Sequence, residues 1–396
     1  MTQSTAPELT APDPVGWTRA VRTALVAFVL SRVFVLAGAS IVAAQQVVEI
    51  NDAKGQRPAN AARLLRDVLI SWDGKWYLRI VADGYPRLVP SGITYDDLPA
   101  RTAFFPAFPR LVGVVDVVLP GGPIVAGLLL NLVLGVAAML LVGRLAMDLW
   151  GTRVAERSMI LMALFPGSFV LSFMYSEALL LALAAGCLLA LHRRQWWPAG
   201  VLAAAGTATR PNGLALVAAC AVASLLAIRE RREWGSLVAP LLAPIGFVGF
   251  QLFLWRHTGE LGVWFRVQRE AWDEGASFGL SALDGMLDFV RHPLSSPTDA
   301  LTALSLVTTA ILVVAMWKRR PSWPVAAFTA VVLLLMLLPA TVTARPRFLY
   351  TAFPLLVSFA RWRDDDSPDV WAAVYCLCSA GLVTLTAMYG VRGAIP

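Results

Sequence analysis

The polar residues of this chain that could do chemistry are few, and they come in short clusters between long apolar runs. The first cluster is Ser71-Trp72-Asp73-Gly74-Lys75-Trp76-Tyr77, followed by the turn Asp83-Gly84-Tyr85-Pro86. An aspartate between tryptophans just beyond a membrane span is shielded from bulk water by their rings, which makes it a better proton acceptor. Lys75 works against that if it lies beside Asp73. An interfacial Trp/Tyr belt with a helix-capping aspartate uses the same residues without any chemistry.

The second cluster, Met174-Tyr175-Ser176-Glu177, reads as a turn between two helices, with Ser176 placed to cap the second and Glu177 in its first turn. Capping and dipole compensation account for both residues without a function. The third, Thr207-Ala208-Thr209-Arg210-Pro211-Asn212-Gly213, interrupts an apolar run. Pro211 breaks the helix, and a half-helix beginning near Asn212 offers free backbone N–H groups, so that Arg210 beside it makes a good phosphate site. A plain short turn is the alternative. The fourth, Thr341 to Phe348, places Arg345 and Arg347 at the mouth of a span; guanidinium forks suit phosphate oxygens, or bind lipid headgroups without specificity. The fifth, Trp264 to Trp272, carries Gln268 and taken alone reads as an amphipathic interfacial helix.

The elements that must position these clusters are membrane helices. A chain of 396 residues that is 58% hydrophobic and only 15% charged is not a soluble domain. Its Leu/Ala/Val runs are long enough to cross about 30 Å of hydrocarbon and lack the alternation of barrel strands. The expected fold is an all-α polytopic membrane protein with eleven spans, near 21–44, 123–147, 158–174, 177–191, 198–209, 212–228, 236–255, 301–317, 323–340, 347–360 and 370–391. The stretch 104–119, with Pro106, Pro109, Arg110 and Asp116, either spans or lies in the interface. Laying it in the interface gathers fifteen basic residues, from Arg19 to Arg363, on one side and leaves Arg210, Arg345 and Arg347 in the short turns of the other. The positive-inside rule then makes the fifteen-residue side cytoplasmic. The expected organisation is a disordered cytoplasmic tail over 1–17 and one membrane domain over 18–396. Its two long external loops run over about 45–121, with interfacial helices, and about 257–300.

All five clusters land on the outer face under this topology. A base candidate, a second carboxylate, an arginine at a half-helix end and a pair of arginines describe a site that handles a phosphate-bearing ligand and activates a hydroxyl. The net charge of +7 is topological, and no basic stripe with interleaved aromatics points to nucleic acid. Cys187, Cys220, Cys376 and Cys378 fall in apolar runs, and His192, His257 and His292 are scattered, so neither a disulfide framework nor a metal site can be written down. A divalent ion held by Asp73 with Glu177 or other loop acids is left open. Only three of the 33 basic residues are lysine, which with abundant Ala, Val and Gly suggests a GC-rich bacterial genome.

The sequence resembles the PIG-V family of mannosyltransferases, related to the enzyme that adds the second mannose to glycosylphosphatidylinositol, within the GT-C superfamily of multispanning glycosyltransferases. The pieces that carry the resemblance are Ser31-Arg32, Trp72-Asp73 with Trp76-Tyr77, Asp83-Gly84-Tyr85, and Ala103-Phe104-Phe105-Pro106 with Phe108-Pro109. They continue with Tyr175-Ser176-Glu177, Thr209-Arg210-Pro211-Asn212-Gly213, Gln268 with Trp272, and Arg347-Phe348 with Pro354. Pro211 stands where the family often has Ser.

The resemblance implies a GT-C-like fold and an inverting transfer of mannose from a polyprenyl-phosphate donor to a glycolipid or similar acceptor, outside a bacterial plasma membrane. It gives Asp73 the catalytic role, with Trp72, Trp76, Tyr77, Asn212 and Gln268 at the substrates. Arg210, Arg345 and Arg347 would meet the departing lipid phosphate, and Glu177 would position donor or acceptor hydroxyls. Membrane lipids are partners, nucleic acid is not, and an accessory membrane subunit is a feature the family can have. A secondary transporter or lipid flippase is the competing class, since broken helices and arginines near a substrate path serve both. A scaffold is the third.

Overall fold

The computed structural model describes residues 14–54, 60–293, 295–341, 343–362 and 367–391. The expected tail lies largely outside the described residues, and its end at Pro14 already opens a helix. That helix, α1 (Pro14–Lys54), has 41 residues, about 60 Å at 1.5 Å per residue, and so runs well past a bilayer core. The first segment expected to be external then folds locally into α2 (Ala61–Leu69), capped by the Asn60 side chain, α3 (Asp73–Asp83), a 3₁₀ turn over Leu98–Ala103, and α4 (Ala107–Val118). With 12 residues α4 reaches only about 18 Å, short of a crossing, and Val114, Val117 and Val118 are exposed along it.

The membrane portion continues through α5 (Gly122–Trp150), α6 (Thr152–Leu164), α7 (Glu177–His192), α8 (Trp196–Thr207), α9 (Leu214–Arg231), α10 (Val238–Leu242) and α11 (Ile245–Thr258). The second segment expected to be external holds α12 (Val263–Ala271) and α13 (Leu280–Arg291). The chain returns through α14 (Pro297–Arg319), α15 (Trp323–Leu337), the short α16 (Pro346–Thr351) and α17 (Pro354–Ala360), and α18 (Pro368–Gly390). The described residues form helices and one isolated bridge, Ala276 to Pro339. The chain is an all-α polytopic membrane protein.

Six of the eleven expected spans are helices, or near-continuous helical runs, long and apolar enough to cross a bilayer. The other five are shorter or broken, and prolines explain most of the breaks. Pro166 lacks the N–H that would continue α6, so the run over 158–174 becomes α6 followed by a 3₁₀ turn, Pro166–Leu171. Pro346 opens α16, and Pro354 divides the run over 347–360 into α16 and α17 in the same way. Buried Arg32 of α1 caps the first break, donating to the carbonyls of Ala163 and Ser168 and to the hydroxyls of Ser168 and Ser172 at 2.9–3.2 Å. The Ser31-Arg32 motif therefore holds the scaffold, with hydrogen bonds supplied where the helix gave them up.

Packing joins α5 to α6 and α7, α1 to α6 and α18, α7 to α8, and α9 to α15. A second core lies outside this bundle: Trp76, Ile80, Tyr85, Val89 and Phe105 of the first external segment interlock with Phe250 and Leu254 of α11 and Trp264 and Val267 of α12. Arg266 ties the two external segments together, donating to Glu260 and Glu270 and to the carbonyls of Val89 and Pro90 at 2.6–3.0 Å. Trp264 donates to the Ala103 carbonyl and His257 meets the Tyr85 carbonyl, each at 3.0 Å. The stretch over 264–272 is thus a packed wall as much as an amphipathic helix.

Candidate active site

Asp73 is the first residue of α3, and the residue before it, Trp72, takes φ 57° and ψ −114°. A tryptophan at positive φ is strained, and the surrounding structure must hold it there. Its indole donates to the Tyr389 carbonyl at 3.3 Å and its ring lies 6.1 Å from that tyrosine. The Asp73 N–H donates to the Tyr175 hydroxyl, which in turn donates to the Ser71 carbonyl, both at 3.3 Å. Gly74 lets the turn before α7 come close: a Cβ there would sit 3.1 Å from that of Met174. The turn itself is held by Asn131, buried in the apolar run of α5, whose amide donates to the Tyr175 carbonyl at 2.7 Å.

The Asp73 carboxylate then meets two guanidinium groups from distant parts of the chain. Arg347 donates from Nη1 to Oδ2 at 2.8 Å, and Arg210 Nη1 lies 3.9 Å from the same oxygen. Arg210 Nη1 is also 2.9 Å from Glu177 Oε2 and donates to the Ser176 hydroxyl at 3.1 Å. The Glu177 contact is an ion pair without the angle of a hydrogen bond, so neither of its oxygens is hydrogen-bonded. The Tyr77 hydroxyl closes the set at 2.7 Å from Ser176 Oγ. Burial pushes the Tyr77 phenol above its usual range, so it acts here as a neutral hydrogen-bonding group. Ser176 does not cap α7 with its side chain; the hydroxyl belongs to this network.

A cavity of about 660 Å³ opens in front of Asp73. Trp72, Asp73, Tyr77, Arg210, Asn212, Gln268 and Arg347 all line it, together with Tyr95, Phe104, Phe105, Trp264, Trp272 and Phe348. Arg210 sits in extended backbone between α8 and the 3₁₀ turn Pro211–Gly213, where the helix breaks as expected, although α9 itself begins at Leu214. The break needs Gly213, since a Cβ there would clash with the Gly206 carbonyl oxygen.

Three expected site residues stand elsewhere. Glu177 is fully buried behind Arg210 and does not reach the cavity. Trp76 sits one layer back, its ring against Tyr95 and Phe104, which do line the cavity. Arg345 parts from Arg347: it is extended backbone ahead of α16, and its guanidinium turns to Thr302 Oγ1 of α14. Lys75 also turns away from Asp73, lying 3.3 Å from Asp96 and over the Trp76 and Tyr95 rings. Arg347 is the cation that Asp73 receives. Asn131 and Tyr95 lie outside the clusters read from the sequence, and Tyr175 stands in the second cluster without an assigned role. A lone asparagine inside an apolar run was a usable signal for the first; Tyr95, in a polar loop, carried none.

Two guanidinium groups already face the Asp73 carboxylate, and no group of three or more His, Cys, Asp or Glu side chains among the described residues is placed to hold a metal.

No family model matches the chain, and no curated protein matches it. Among solved structures it is similar to the Archaeoglobus fulgidus oligosaccharyltransferase in its apo form, with 16% identity and a TM-score of 0.37 over 91% of this chain and 55% of that one. It is similar also to that enzyme with an inhibitory peptide and a dolichol-phosphate, with 16% identity and a TM-score of 0.37 over 90% and 55% of the two chains. The chain spans about 55% of the length of those structures.

Proposed function

We propose that this chain is a GT-C-type inverting glycosyltransferase. It would move mannose from a polyprenyl-phosphate donor to a hydroxyl of a glycolipid or similar acceptor, at the outer face of a bacterial plasma membrane. The observation that carries the reading is the Asp73 carboxylate held by Arg347, with Arg210 beside it, on the wall of an aromatic cavity of about 660 Å³. A base, two fixed cations and ring-lined walls in one pocket match what this transfer needs.

Asp73 Oδ2 is anchored by Arg347, while Oδ1 takes no hydrogen bond among the described residues. That oxygen is available to an acceptor hydroxyl. As the acceptor oxygen bonds to the anomeric carbon, the bond from that carbon to the phosphate oxygen breaks on the opposite side, and the sugar inverts. The acceptor proton passes to Asp73, and the electron pair leaves with the lipid phosphate. Arg347 and Arg210, the fixed cations of the cavity, would meet its charge in a partly dry site where such donors are worth more than in water. Glu177 compensates Arg210 from behind and touches neither substrate.

The test is transfer of labelled mannose from polyprenyl-phosphate mannose to extracted membrane lipids by the purified protein, with Asp73→Asn beside it. Transfer by the wild type and its loss in the folded variant would support the reading. Equal transfer by both would remove Asp73 from catalysis. No transfer by either, with the full lipid pool present and other sugar donors tried, would turn the assignment toward a transporter of a phosphate-bearing substrate.

A further inference from the structure

A second, polar groove of about 320 Å³ lies between α13, α14 and the segment before α16. Asp284 and Asp288 of α13 and Asp299 of α14 line it, with Arg345 in its wall. Arg345 is only 2% exposed; Nη1 donates to Thr302 Oγ1 and to the Thr298 carbonyl, but among the described residues its Nε is buried without any partner and no carboxylate lies within ion-pair distance. A buried guanidinium with unused donors costs free energy, part of which a ligand oxygen could recover at the edge of Arg345 that lines the groove. The groove adjoins the Asp73 cavity, because Thr341 lines both.

The surroundings select the ligand. An anion would face three carboxylates. An apolar group would strip water from them without return. The described acids form no cluster placed to hold a metal ion. A neutral, hydroxyl-rich ring remains: its hydroxyls donate to carboxylates and accept from a guanidinium, so both signs of group in the groove are used. The same helix indicates how such a ring arrives. Leu283, Leu287 and Val290 are 53%, 49% and 66% exposed and share one face of α13, while Asp284 and Asp288 lie on the adjacent face. An amphipathic helix of this kind rests on a bilayer surface, which puts the groove at headgroup depth.

We propose that this groove binds the saccharide headgroup of a lipid-linked acceptor and presents it to the Asp73 cavity; the proposal rests on the transferase reading above. The test is saturation-transfer NMR on the full chain in phosphatidylcholine nanodiscs, with empty nanodiscs as the blank. The probes are octyl α-mannoside, octyl β-glucoside, methyl α-mannoside and octyl phosphate. The variants are Asp284→Asn/Asp288→Asn, which are exposed and isosteric, and Ser281→Trp, which fills the groove.

We expect at least one octyl glycoside to bind the wild type, with affinity about tenfold lower in either variant, and the methyl glycoside to bind more weakly. Absence of glycoside binding, or binding unchanged by both variants, overturns the subsite. Octyl phosphate binding that strengthens in the Asn variant overturns it in favour of an anion site. Methyl and octyl glycosides binding equally removes the lipid-linked source. Binding does not depend on turnover: groove binding without mannose transfer counts against the transferase reading alone, and transfer without groove binding counts against the subsite alone.

Discussion

Glu177 reaches the cavity only through Arg210: its carboxylate is fully buried, and Arg210 Nη1 stands 2.9 Å from it on one side and 3.9 Å from Asp73 on the other. One guanidinium therefore answers to two acids, and the inner acid sets where it stands. Breaking such a buried pair leaves an uncompensated charge in a low-dielectric setting, a cost of about 3–5 kcal/mol. Glu177→Ala should lower the thermal unfolding midpoint of the detergent-solubilised protein markedly, and Glu177→Ala/Arg210→Met should recover part of the loss. A single variant as stable as the wild type would refute the compensating role.

Asp73→Asn keeps an oxygen to accept from Arg347 and a shape that fits the turn. The fold should therefore persist while transfer falls about 10²–10⁴-fold, the usual worth of a positioned base. Initial rates of labelled mannose transfer, with circular dichroism as the folding control, decide this.

Arg347 supplies a charge and a rigid fork from a site only 9% exposed. Arg347→Lys keeps the charge and loses the fork, so transfer should fall by about 10²-fold or more while Lys variants of the exposed Arg63 and Arg66 change nothing. The loss should appear in kcat if the fork serves the departing phosphate, and in the donor KM alone if it only binds the ground state.

The two external segments are joined through Arg266, whose hydrogen bonds hold the Glu260 carboxyl below its ordinary value of 4.5. A depressed carboxyl contributes stability that is present above its unfolded value and lost as pH falls through the folded one. Docking of the 88–92 turn should therefore be unchanged from neutral pH to about 5 and loosen below 4.5. Amide hydrogen exchange across 88–92 at pH 6 and pH 3.5 checks this. In Arg266→Ala the turn should exchange faster at both, keeping only the pH dependence of the Gly92 N–H bond to the Glu270 carboxylate.

Hydropathy and helix breakers are local properties, and they carried most of the architecture. The positions of α1, α5, α9, α14 and α18, the break at Arg210-Pro211, and the polar clusters around Asp73, Arg210 and Arg347 all follow from composition within a few turns of chain. Burial in lipid requires each backbone group to be satisfied within its own helix, so the runs declare themselves without reference to the rest of the fold. Partner choice is another matter. The bond from Arg347 to Asp73 joins residues 274 positions apart, and nothing near either one distinguishes it from Arg345 or Lys75, which bind Thr302 and Asp96 instead. Ser176 has the spacing of a helix cap and serves Arg210 and Tyr77, and Glu177 lies behind the site it was expected to line. Side-chain direction depends on how α3, the turn before α7 and the start of α16 approach one another. That approach is set by packing and by a few buried hydrogen bonds such as those of Asn131 and Arg32, so only the tertiary structure could decide which of the polar residues share one cavity.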